Sequence, residues 1–161
     1  MFFGLPLHSL VVHAAVVCLP LAALGTILMA FWPAAARRLW PAVLFVATIA
    51  LIAVPLSITS GETLKDKVGE NALIEAHEEQ GEQVLPFVIV LWLAALGISL
   101  ATRLMGHTKR SRHESAAARA GPRWHAAMVI VLAVLALVGG VGGTLATVRA
   151  GHSGAQTVWT K

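Results

Sequence analysis

Four long apolar stretches separated by short polar ones set the pattern of this chain. They run from about Leu10 to Trp32, Leu39 to Ile58, Val84 to Met105 and Ala126 to Val148. Each supplies the roughly 20 apolar residues that a helix needs to cross a bilayer. The pattern predicts an all-α, integral membrane four-helix bundle in a single domain, 1–161. The first stretch is not read as a cleavable leader, because no basic segment precedes it and its apolar run is too long. An outer acidic loop is expected over 59–83 and an inner basic loop over 106–123. No internal repeat or low-complexity tract is read along the chain.

Composition explains why lipid must be the solvent. The 161 residues are 57% hydrophobic and 12% charged, whereas a soluble domain carries about a quarter charged residues. A small soluble fold could not hide that apolar surface, and a disordered chain needs the opposite balance. A net charge of +4 and a pI near 10.0 would suggest nucleic acid in a soluble protein. Here the charges sit in short polar segments, so they report topology and no nucleic-acid partner is expected.

Arg37, Arg38, Arg103, Lys109, Arg110, Arg112, Arg119 and Arg123 fall on one side of the spans; Lys65, Lys67, Arg149 and Lys161 fall on the other. That asymmetry puts the first set inside, and both termini outside with the acidic segment. Seven of the eight carboxylates (Glu62, Asp66, Glu70, Glu75, Glu78, Glu79 and Glu82) lie in that outer segment. Trp32, Trp40, Trp124 and Trp159 mark span ends, as amphipathic rings do, while Trp92 lies deeper and reads as packing. Cys18 reads as a small buried hydrophobe. The basic loop reads as a solvated cytoplasmic segment, with attraction to anionic lipid as the alternative.

Candidate chemistry gathers on the outer side. His8 and His13 straddle the start of the first span, His77 precedes the third and His152 follows the fourth. Ionisable groups at a membrane span are costly, which makes them functional candidates. His8 and His13 are about 140° apart around a helix, and His13 lies about 7.5 Å deeper, so they cannot share one metal as an i, i+4 pair would. His13 and His77 are the expected ligands, with His8 and His152 as an alternate pair or as supporting donors. Glu62 and Glu82 are candidates for orienting an imidazole N–H or for pairing with Arg149. His107, His113 and His125 sit among arginines and are not assigned as ligands.

Two backbone features bear on shape. Pro20, Pro55 and Pro86 each remove a helical N–H and are placed to kink the outer half. Gly139 and Gly143 form a G-x-x-x-G pair, which suits either close helix packing or a flat porphyrin.

The segment Gly4-Leu5-Pro6-Leu7-His8-Ser9-Leu10-Val11-Val12-His13, followed by Leu19-Pro20-Leu21, resembles the opening of a bacterial membrane-protein family catalogued as domain of unknown function 2231. Ser60-Gly61-Glu62, the His77 to Pro86 segment and Gly151-His152-Ser153-Gly154-Ala155 with Val158-Trp159 are similar to its other recurring segments. The likeness covers nearly the whole chain and departs at Ser9, where the family often has proline. It implies a four-helix domain of the bacterial inner (cytoplasmic) membrane with recurring histidines at His8, His13, His77 and His152. It supplies no established activity, although some relatives accompany redox modules.

Three functions remain open at this point. The first is binding of haem b in support of electron transfer, through neutral imidazoles from two helices. The second is an outward-facing Zn or Cu site without porphyrin. The third is a non-catalytic accessory role, as a homodimer or within a larger membrane complex. No nucleophile–base pair or phosphate loop is present, and no enzymatic activity is read from the chain.

Overall fold

The computed structural model describes residues 7–68, 72–110 and 123–159. Five helices account for nearly all of them: α1 (Leu7–Phe31), α2 (Pro33–Val68), α3 (Ala72–Glu82), α4 (Val84–Arg110) and α5 (Arg123–Trp159). Among the described residues only Trp32 and Gln83 lie outside helices. Four segments are long and apolar enough to cross a membrane: Leu10–Phe31, Pro33–Thr63, Ala72–Leu104 and Ala127–Ala155. The third joins α3 to α4 across Gln83. Pro86 accounts for that break, since a proline sits without penalty in the first turn of a new helix. Of the expected basic loop over 106–123, residues 106–110 continue α4 and Arg123 begins α5, while 111–122, with Arg112, His113 and Arg119, lie outside the described residues, as do Glu70 and Lys161.

Two of the boundaries differ from the sequence expectation. The segment read as an outer acidic loop is helical over 59–68 and again over 72–82. At the other end α2 begins directly after Trp32, so Arg37 and Arg38 sit in its first turns. Hydropathy marks only where a helix is apolar. α2 and α5 have 36 and 37 residues, about 54 Å at 1.5 Å per residue. They therefore project well beyond a hydrocarbon layer about 30 Å thick.

The helices form an up-down-up-down ring in the order α1, α2, α4, α5. Neighbours in that order pack along their lengths, α1 and α4 meet more sparsely across the centre, and α3 packs mainly on α5 at the acidic end. Leu19, Leu91 and Val88 are the largest apolar side chains in the centre, and alanine and glycine fill much of the rest. The glycine pair of α5 serves this packing. A Cβ on Gly139 would lie 2.6 Å from the Leu91 backbone nitrogen, and one on Gly143 would meet Leu19 and Phe87 at 3.2 Å. The flat face is thus filled by α4 and α1. Outside the ring, Val17, Leu24, Phe45, Leu104 and Ile130 are among many large apolar residues left exposed, as suits contact with lipid tails.

An internal repeat, not read from the sequence, emerges from the packing. Leu19-Pro20-Leu21-Ala22-Ala23-Leu24-Gly25-Thr26-Ile27-Leu28 of α1 matches Leu91-Trp92-Leu93-Ala94-Ala95-Leu96-Gly97-Ile98-Ser99-Leu100 of α4 at seven of ten positions. Leu19, Ala22 and Ala23 are buried, as are Leu91, Ala94 and Ala95. Burial also matches between α2 and α5: Val43, Ala47, Ala50, Ala53 and Val54 correspond to Ala136, Gly140, Gly143, Ala146 and Thr147. The bundle is two similar helical hairpins, α1–α2 and α3/α4–α5. One asymmetry stands out: Trp92, bonded to Thr48 through Nε1–H at 3.0 Å, occupies the position that Pro20 holds in the other half. There the α1–α5 surface keeps an apolar groove of about 300 Å³ beside Pro20, Gly140 and Thr144.

Candidate imidazole site

At the acidic end the two hairpins carry the same local device. His8, at the start of α1, points Nδ1 at the Ser57 carbonyl (3.0 Å) and the Ser60 hydroxyl (3.2 Å) of α2. His77, on α3, points Nδ1 at the Ser153 hydroxyl of α5 at 3.1 Å. Each serine hydroxyl donates to a carbonyl of its own helix, Ser60 to Ser57 at 3.1 Å and Ser153 to Ala150 at 3.0 Å. The Ser57 carbonyl can only accept, so His8 Nδ1 carries the proton and its neutral ring keeps the lone pair on Nε2; the Ser153 hydroxyl holds His77 at the same ring nitrogen.

The residue after each of these serines is glycine, and each glycine makes room for a ring. A Cβ on Gly61 would sit 3.2 Å from His8 Cε1, and one on Gly154 would sit 2.9 Å from His77 Cε1. Ser60-Gly61 and Ser153-Gly154 occupy matching places on α2 and α5, the two helices that run toward this end. His8 and His77 come from the helices that run away from it. The two rings are within electrostatic reach of each other. Burial pushes His8 below its ordinary value of 6.5; the Ser57 carbonyl opposes this, and the His77 charge adds to the lowering. His8 is thus a neutral imidazole at pH 7.

The remaining candidates are placed differently. His13 lies one and a half turns further along α1 and is exposed, and His152 is exposed on α5. Glu62, Glu82 and Arg149 are exposed as well, and no ion pair joins them. The carboxylate that does structural duty is Glu78, whose Oε2 accepts from Lys65 Nζ at 2.8 Å and ties α3 to the projecting end of α2. Among the described residues no group of three or more His, Cys, Asp or Glu side chains is placed to hold a metal ion.

Sequence reasoning looked to carboxylates for orienting the imidazoles, whereas serines fill that role. The signal was the Ser-Gly dipeptide, present once in each outward-projecting helix. Comparison with known proteins finds no matching family model, curated protein or solved structure.

Proposed function

We propose that the acidic end of this bundle binds haem b, with His8 and His77 as axial ligands, and that the protein supports electron transfer in a bacterial cytoplasmic membrane. One observation carries the reading: two half-buried imidazoles in matching halves of the fold, each held at Nδ1 by a serine of a neighbouring helix. Histidines that bind metals are oriented in this way, and the bond at Nδ1 raises the basicity of Nε2. The donor set also suits haem better than a bare ion, since structural zinc takes four protein ligands and catalytic zinc three, whereas haem iron can be held by two imidazoles. Haem would supply a one-electron couple; His8 and His77 would hold it, and Lys65 with Glu78 would keep α3 docked.

The pair favoured from depth in the sequence was His13 with His77. Burial moves the proposal to His8 with His77, since His8 and His77 are half-buried against the serines of α2 and α5 whereas His13 and His152 are exposed. The basic bias of the opposite end and the family likeness support placing this site on the outer side.

The test is an absorbance spectrum of protein purified from haem-replete cells, with iron, zinc and copper measured on the same sample. A Soret band that shifts on reduction and is lost in His8→Ala and His77→Ala, but kept in His13→Ala and His152→Ala, is the expected result. Absence of haem from folded wild-type protein overturns the proposal, and stoichiometric copper or zinc in its place would select the porphyrin-free reading.

A further inference from the structure

We propose that the basic end of the bundle binds an anionic phospholipid, one acyl chain entering a cavity between the helices and the phosphate resting on Arg37. This site is independent of the imidazole pair at the other end. The cavity measures about 290 Å³ and takes its walls from all four spans, among them Met29 of α1, Ala36 and Arg37 of α2, Ile98 and Thr102 of α4, and Leu132 of α5. Its volume is at the low end of the roughly 300–1,000 Å³ typical of ligand pockets, enough for part of one chain but not for a whole lipid.

The chemistry of the walls selects an amphiphile. Met29 and Ile98 are buried, and the lining is largely aliphatic. Among the described residues Arg37 is its one charged member. Thr102 already donates its hydroxyl proton to the Ile98 carbonyl at 2.7 Å. The neighbouring Arg103 is engaged over the Trp40 ring at 3.8 Å, which leaves Arg37 as the cation at the cavity. Inorganic phosphate would satisfy Arg37 but leave the apolar volume unfilled. Charge at this end is overwhelmingly positive, with Glu114 its one carboxylate. Basic pockets between membrane helices recognise anionic head groups on these grounds.

The experiment measures thermal unfolding of the full chain in phosphatidylcholine nanodiscs doped with phosphatidylglycerol, with inorganic phosphate as a separate arm. Phosphatidylglycerol should raise the midpoint of wild-type protein and of Arg38→Gln, an exposed neighbour outside the cavity. Arg37→Gln should need about fivefold more of the lipid for the same shift, the ratio expected for one arginine at an anionic surface. Ala101→Leu, which fills the cavity, should abolish the shift. Should that variant fail to fold, native mass spectrometry of lipid retained by Arg37→Gln and Arg38→Gln decides. Equal losses in the two arginine variants, a full response to inorganic phosphate, or an unchanged response in folded Ala101→Leu would overturn the proposal.

Discussion

Replacing Gly139 with alanine isolates the contact on which the α4–α5 hairpin closes. A Cβ there would meet the Leu91 nitrogen at 2.6 Å, the Leu91 Cα at 2.9 Å and the Phe87 carbonyl oxygen at 3.0 Å. All three are backbone atoms, so no rotamer change relieves the clash. Restoring ordinary contact requires α4 and α5 to separate by about 0.8 Å, a gap at which apolar contacts forfeit about a quarter to a half of their attraction. Overpacking of this kind costs about 1–3 kcal/mol. Gly151 on the same helix is the control, since a Cβ there meets nothing within 4 Å. Gly151→Ala should stabilise by up to about 1 kcal/mol through helix propensity alone. The propensity gain is common to both, so the two variants should differ by the overpacking cost, about 1–3 kcal/mol, in equilibrium unfolding followed by circular dichroism in mixed micelles. If Gly139→Ala unfolds at or above wild type, as Gly151→Ala should, the close backbone approach of α4 to α5 is not what holds that hairpin together.

Other consequences can be checked separately. Gly154→Ala should displace the His77 ring by about 0.5 Å, from 2.9 Å to ordinary contact, and lower haem occupancy, whereas Gly81→Ala, which meets nothing within 4 Å, should leave it intact; equal occupancy in both would remove the glycine seat from the argument. Because His8 is held below its unfolded value of 6.5, its contribution is complete above that pH and is lost as pH falls through 6.5 and the lower folded value. A pH titration of stability should show this loss in wild type and a flatter profile in His8→Gln; an unchanged profile would assign the loss to other groups. Pro20→Trp with Val141→Thr should rebuild the Trp92–Thr48 pair in the opposite groove and raise the unfolding midpoint above that of Pro20→Ala, and no gain over Pro20→Ala would contradict the internal symmetry. Thr26 is fully buried with no hydrogen-bond partner for its hydroxyl, so Thr26→Val should stabilise by about 1 kcal/mol in the same unfolding assay, and a loss of stability would show that the hydroxyl is satisfied.

The fold class and the four apolar spans were legible in the sequence because lipid imposes a length and an apolar content on any helix that crosses it. The projecting ends of α2 and α3 were not, since helix continues into polar sequence wherever a neighbour supports it, and Lys65 with Glu78 provides that support across two segments. The internal repeat was present as letters in Leu19–Leu28 and Leu91–Leu100. It became evident only when the burial of Leu19 and Leu91, and of Ala53 and Ala146, proved to coincide. Histidines could be placed at one end from the distribution of arginines, yet four of them looked alike at that level. Which two are half-buried depended on the faces of α2 and α5 that the ring order presents to them. One-dimensional spacing sets the depth of a residue along a helix; only the packed bundle sets its azimuth and the hydroxyl it meets. Depth alone favoured His13, and the tertiary contacts with Ser57, Ser60 and Ser153 singled out His8 and His77.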